Sequence, residues 1–468
     1  MKARNLLIVV LAVILSSCGI QEQKAKYVFF FIGDGMGVSH VTLAKLYADS
    51  VLNDSTAVAF TRFPVSSLST TYAHNRYVTC SAAAGTALST GTKTSINTIG
   101  LTYDRTDTLY SIAKKFKEAG RKVAILTSVS IDHATPAAFY AHVGSRGSYY
   151  DIAKQLLKSN YDFFASGGFL EPYGSKPDSG AVSIYELGIQ KGYKFTSTFT
   201  GVDSLVAAGA RSIVYSAPNP APSSTLQYEI DRTNSDVSLA DITRKAIEVV
   251  DNPNGFFMMV EGGKIDWAAH DNDAATVIHD VLAFARAIDV AVEFYKKHPN
   301  ETLIIVTADH ETGGLSIGNR ENKYDVHINL LKYQKVSKER LHKLIAEFKE
   351  NNPKAKFEDL LKLLADNTGL SKEVELSDSD IIMLKVAYNS SFRNVKPAEK
   401  TTYSETDPIS KVAIQLINSK AAVGWTSGSH TGQPVPVFAI GNGQELFIPL
   451  LDNTEIPKNI IRASGIAY

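Results

Sequence analysis

Four short segments of this sequence carry side chains that can hold metal ions: Gly33-Asp34-Gly35-Met36-Gly37, Asp132-His133-Ala134-Thr135, Glu261 and Asp309-His310. Each follows, within five residues, an apolar, β-branched or aromatic run: Tyr27 to Ile32, Val123 to Thr127, Phe256 to Val260 and Leu303 to Thr307. Open α/β sheets gather ligands beyond the carboxyl ends of their strands, so the four segments can converge on one crevice. Nitrogen and carboxylate donors together suit zinc, whereas an all-oxygen set suits magnesium. Asp266 and His270, four residues apart, share one face if their stretch is helical and can then chelate a single ion. Taken singly, each of these is ordinary: a tight turn, a solvated helix face, a core histidine. Their joint placement at strand ends carries the reading.

A nucleophile is offered by Tyr77-Val78-Thr79-Cys80-Ser81-Ala82-Ala83-Ala84-Gly85-Thr86-Ala87. Small side chains permit close approach there, and the free N–H groups at a helix start favour an anion. Ser81 alone would be a helix cap. Beside a metal ion that lowers its pKa, its hydroxyl becomes a strong nucleophile. The planar fork of Arg146, in a Gly-Ser-Arg-Gly turn, can bind phosphate.

The elements that must position these residues read as strands alternating with helices, which predicts a large, mostly parallel sheet flanked by helices. Leu109, Ile112, Ala113 and Phe116 fall at helical spacing, with Gly120 placed as a C-terminal cap. A second amphipathic series, Val281, Phe284, Ala285, Ile288, Val292 and Tyr295, fills the crossover before Leu303. Lys- and Leu-rich segments such as Lys338 to Glu350 and Phe357 to Asp366 break the alternation, which marks residues 319–399 as a helical insertion. Ser216 to Ser224 reads as surface loop.

Residues 1–18 carry Lys2 and Arg4, an apolar run from Leu6 to Leu15, then Ser16-Ser17-Cys18. This pattern is an export signal of bacterial lipoprotein type, with Cys18 as the lipidated first residue of the mature chain and residues 19–26 as a tether. An ordinary secretory signal with an incidental Cys18 is the alternative. The catalytic domain then occupies residues 27–468. Across 468 residues, 48 basic side chains balance 48 acidic ones, so no overall field exists to hold nucleic acid. The two cysteines, Cys18 and Cys80, cannot build a disulfide framework.

In sequence order, Gly33-Asp34-Gly35-Met36-Gly37, Val78-Thr79-Cys80-Ser81-Ala82-Ala83, His133-Ala134-Thr135-Pro136, Val260-Glu261-Gly262, Ile265-Asp266 with His270, Thr307-Ala308-Asp309-His310 and Ser429-His430-Thr431-Gly432 resemble the motif series of alkaline phosphatases. The resemblance implies an exported, periplasmic phosphomonoesterase with two zinc ions and one magnesium ion, acting on small phosphate monoesters as a homodimer. Carried over residue by residue, it makes Ser81 the nucleophile that becomes phosphoserine. One zinc, held by Asp34, Asp309 and His310, would activate Ser81. The other, held by Asp266, His270 and His430, would stabilise the leaving oxygen. Asp34 would bridge to magnesium, whose ligands would include Thr135 and Glu261, with His133 acting through a water. Arg146 would grip two phosphate oxygens. The insertion would form a crown over the site or the dimer interface.

Three positions depart from the familiar pattern. Cys80 stands where many members have an Asp that orients the phosphate-binding Arg. His133 stands where some members have Asp, and Trp267 where some have Lys. Two alternative activities go with the same resemblance: a phosphodiesterase or phosphonate hydrolase of the superfamily, and an inactive binding lipoprotein. Thr135, Glu261 and Arg146 favour the monoesterase over the first, and the complete set of ligands and nucleophile favours it over the second.

Overall fold

A computed structural model describes residues 24–176, 180–319, 322–392, 399–400, 403 and 405–467. Cys18 and the signal segment lie outside the described residues, as does most of the tether.

The strands β1 (Tyr27–Ile32), β2 (Val65–Thr70), β3 (Lys122–Thr127), β4 (Phe163–Ser166), β5 (Lys194–Thr196), β6 (Ile213–Ser216), β7 (Phe256–Glu261) and β8 (Thr302–Thr307) join Val435–Gly441 and Leu451–Asp452 in one ten-stranded sheet. From one edge to the other, the order is Leu451–Asp452, β2, Val435–Gly441, β8, β1, β7, β3, β4, β6, β5. Every neighbouring pair is parallel except those made by Val435–Gly441, which runs antiparallel to both β2 and β8.

The sheet is covered on both faces, which is why its central strands are apolar along their whole length. In β1 every residue is buried. Tyr27, Phe29 and Phe31 enter one core, with Phe284 and Phe294 of the long helix Ala274–Lys297. Val28, Phe30 and Ile32 enter the other, with Phe139 and Phe257. The amphipathic series before β8 therefore forms the expected crossover helix.

The helix after Leu109 is shorter than its apolar spacing predicts. It spans Ile112–Glu118, because the Ser111 side chain accepts the Lys114 N–H as an N-cap and starts the helix there. Leu109 lies outside it, while Gly120 follows the cap residue Ala119 with φ of 78°. Between β8 and Val435–Gly441 the chain forms the helices Lys338–Asn351, Phe357–Thr368, Asp378–Phe392 and Pro408–Lys420. Their apolar faces join the first core through Leu341, Ile345, Leu360, Leu364 and Ile414.

Candidate active site

The strands β8, β1, β7 and β3 are neighbours, and their register aligns Thr307, Ile32, Glu261 and Thr127 at one level. Their carboxyl ends therefore deliver Asp309 and His310, Asp34, Glu261, and His133 and Thr135 to one place. All six are buried. Asp266 and His270 sit on the helix Lys264–His270, which starts three residues beyond β7. His430 arrives from the other direction, on a two-residue strand whose antiparallel partner is Glu311–Thr312, with His430 opposite Thr312.

The donors form three overlapping clusters: Asp266, His310 and His430; Asp34, Asp309 and His310; and Asp34, His133 and Glu261. Within each, one donor atom per residue lies within 4.8 Å of the others. His270 joins the first through its Nε2, 3.1 Å from His430 Nε2 and 3.4 Å from Asp266 Oδ2. Thr135 reaches the third by donating its hydroxyl to Asp34 Oδ2 at 3.3 Å. All the sequence-predicted metal-binding residues are thus brought together. The structure adds that His310 faces both of the first two clusters, its ring stacked on that of His430 with centroids 3.6 Å apart.

Surrounding groups fix the donors. His270 Nδ1 pairs with the Gly428 carbonyl at 2.7 Å, and His430 Nδ1 with the Thr79 carbonyl at 2.9 Å. Each bond turns the Nε2 of its ring toward the cluster. Thr312 donates to Asp266 Oδ1 at 2.5 Å and also contacts His310 Nδ1 at 3.2 Å. Asp309 Oδ1 accepts the N–H groups of His310 at 2.9 Å and Gly35 at 3.2 Å. Gly35 has φ of 70°, and a Cβ there would stand 2.8 Å from Asp266 Oδ1, so only glycine meets both demands.

Packing this many ionisable groups together in a buried site shifts their titration. Burial and the neighbouring Asp309 push the Asp34 carboxyl well above its usual range. Burial raises Glu261 to about 8. Burial and Asp266 raise Asp309 to about 7. Burial would also raise Asp266, but His270, His430 and His310 beside it hold that carboxyl well below its usual range. Burial drives His310 and His430 down, whereas Asp266 outweighs burial at His270 and raises it to about 9. Four carboxylate oxygens, one each on Asp34, Glu261, Asp266 and Asp309, have no hydrogen-bond partner. Buried, unpartnered carboxylate oxygens beside imidazole nitrogens fit divalent cations.

Ser81 is the first residue of the helix Ser81–Thr90, every residue of which is buried. The N-cap is Cys80, whose Sγ accepts the Asn97 N–H at 3.2 Å. Gly85 lets this helix press on the one carrying Thr135, since a Cβ there would lie 3.2 Å from that of Ala138. Ser81 Oγ stands 3.3 Å from His310 Nε2. Arg146 Nη1 donates to the same oxygen at 3.4 Å. A hydroxyl, a guanidinium and the clusters of candidate metal donors therefore meet at one atom.

The sequence profile of the family described as alkaline phosphatase matches residues 25–162 and 221–466. The chain belongs to the alkaline phosphatase family. It is 32% identical over 455 residues to alkaline phosphatase 3 of Bacillus subtilis (strain 168), a match covering 94% of this chain and 89% of that one. It is 31% identical over 337 residues to the human tissue-nonspecific alkaline phosphatase, covering 62% and 64% of the two chains. Among solved structures, the cold-active alkaline phosphatase of a psychrophilic Shewanella superposes with a TM-score of 0.76 and 28% identity, over 94% of this chain and 99% of that one. The chain is thus an enzyme of this family, and its sheet is the family's sheet.

Two site residues have no counterpart among the sequence motifs. Thr312 is close to His310 in sequence, but a lone threonine carries no signal of its own. Tyr403 is far from every motif, yet its ring lies flat on Trp267, with centroids 4.5 Å apart.

Proposed function

We propose that this enzyme hydrolyses small phosphate monoesters through a covalent phosphoserine at Ser81 and releases inorganic phosphate. The observation that carries this reading is the position of Ser81 Oγ: it is buried at a helix start, 3.3 Å from His310 and 3.4 Å from Arg146, where two metal-binding clusters meet.

Asp34, Asp309 and His310 would hold one zinc ion, and Asp266, His270 and His430 a second. Glu261, Asp34, Thr135 and His133 would hold a third ion, magnesium. The unpartnered oxygens of Asp34, Asp266, Asp309 and Glu261 and the unpartnered Nδ1 of His133 support this assignment. When bound, such ions lower the pKa of a nearby hydroxyl and offset the charge on the entering and leaving oxygens of an in-line displacement. A structure of a His-to-Asp mutant of the alkaline phosphatase from the Antarctic bacterium TAB5 has magnesium bound in its M3 site.

The side chains account for the rest of the reaction. Arg146 holds two nonbridging phosphate oxygens and orients phosphorus over Ser81. Ser81 Oγ loses its proton and attacks phosphorus, and the bond to the ester oxygen breaks as the alcohol departs with a proton. Water then gives up a proton and attacks phosphorus from the vacated side, the bond between phosphorus and Ser81 Oγ breaks, and Oγ takes up a proton as inorganic phosphate is released. Because the transferring phosphoryl group is what the side chains grip, many leaving groups will be accepted.

The N-terminal sequence supports export and a lipid anchor at Cys18, with the enzyme on the periplasmic side of a bacterial membrane. Among the described residues no helix is long and apolar enough to cross a membrane. Family resemblance supports a homodimer. The testing experiment is metal analysis of the purified protein together with monoester and diester assays, before and after chelation and restoration of zinc and magnesium. The reading requires monoester turnover that chelation abolishes and metal restores. Diester turnover exceeding monoester turnover would replace it with a diesterase.

A further inference from the structure

Tyr403 places its hydroxyl 3.4 Å from Arg146 Nη2, as an acceptor of that N–H. The other partner of Nη2 is His133 Nε2 at 3.0 Å, while Nη1 reaches Ser81. Stacking fixes the Tyr403 ring: it lies 6° from the plane of Trp267 and meets the His270 ring edge-on at 5.3 Å. Two partners on Nη2 and Ser81 on Nη1 therefore fix the orientation of the guanidinium.

We propose that Tyr403 is a positioning residue for the phosphate-binding Arg146, holding the guanidinium over Ser81 by accepting a hydrogen bond from Nη2. The inference rests on the phosphomonoesterase reading of this site. It assigns to Tyr403 a share of the affinity for the phosphoryl group, common to substrate and to inorganic phosphate product.

The test compares the metal-loaded enzyme with Tyr403→Phe, which removes the hydroxyl and keeps the ring on Trp267. KM for p-nitrophenyl phosphate and Ki for inorganic phosphate should rise together, by roughly three- to tenfold, the usual range for one hydrogen bond. kcat should change by less than about twofold, since binding is lost equally in ground and transition states. A lower kcat at unchanged KM, or unchanged KM and Ki, overturns the proposal. A readout free of turnover uses the fact that the chain has 2 tryptophans. In Ser81→Ala, Trp425→Phe protein, Trp267 alone reports on a titration with inorganic phosphate. Adding Tyr403→Phe should raise the dissociation constant by the same factor, and an unchanged constant refutes the proposal. If the wild type hydrolyses no phosphomonoester, the functional reading fails, and this titration still decides the role of Tyr403.

Discussion

Replacing Asp309 by Asn separates the roles of its charge and its shape. Oδ1 accepts two backbone N–H bonds, from His310 at 2.9 Å and Gly35 at 3.2 Å, and an Asn oxygen can keep both. What is lost is the negative charge, carried by a buried carboxyl whose Oδ2 has no hydrogen-bond partner. In the metal-free protein that charge is a burden: burial and Asp266 raise the pKa from 3.8 to about 7, corresponding to about 4 kcal/mol. A carboxyl with a raised folded pKa binds its proton more tightly folded than unfolded. The penalty therefore grows as pH rises from about 4 to 7 and stays at its full value above 7. At pH 8 in chelator, Asp309→Asn should unfold at higher denaturant than the wild type, by up to about 4 kcal/mol. With zinc the order should reverse, because the variant loses an anionic ligand and at least about 100-fold in zinc affinity, more than a supporting group costs. Chemical denaturation with and without zinc, and competition against a chromophoric chelator, read the two effects. A variant less stable than the wild type in chelator, with unchanged zinc affinity, would show that Asp309 neither carries a costly buried charge nor ligates zinc.

Two further outcomes follow from groups beside the clusters. Gly35→Ala forces a side chain into φ of 70° and a Cβ to within 2.8 Å of Asp266 Oδ1, so stability should fall by about 1–2 kcal/mol. Zinc affinity should drop with it, and a variant that matches the wild type in both would contradict the packing described. Burial lowers the pKa of His40 from 6.5 to about 4, so the unfolded chain binds this proton first as pH falls. Stability is then full above 6.5 and lost toward 4. His40→Gln should remove about 2.5 kcal/mol of the decline between pH 7.5 and 4.5, measured by denaturant titration at both pH values.

Much of the site was legible because chemistry and secondary structure coincide in this chain. The runs before Asp34, His133, Glu261 and Asp309 are buried on both faces, so they read as uninterrupted apolar strands, and the polar residues follow where those strands stop. The antiparallel part of the sheet was not legible for equally physical reasons. The strand β2, with sequence VSSLST, is polar and partly exposed, and reads as a loop. Val435–Gly441 contains Pro436, which argues against a strand from sequence alone, although it pairs with Leu68 of β2. Leu109 continues the helical spacing of Ile112 and Phe116, yet Ser111 begins the helix by capping it, and a side-chain hydrogen bond overrides periodicity. Tyr403 was invisible because its role depends on a contact between distant segments: a tyrosine gains meaning only when Arg146 and Trp267 are found beside it. Cys80 left open how Arg146 is oriented, and the structure places His133 and Tyr403 within reach of its Nη2.

The proposed reaction passes through a covalent bond between Ser81 and phosphorus. Metal-loaded enzyme mixed with a phosphate monoester labelled at phosphorus, quenched in acid and digested, should yield one labelled peptide, with the phosphate on Ser81. Ser81→Ala should yield none and lose at least about 1,000-fold in kcat. Label on another residue, or turnover by Ser81→Ala near the wild-type rate, would rule out Ser81 as the nucleophile.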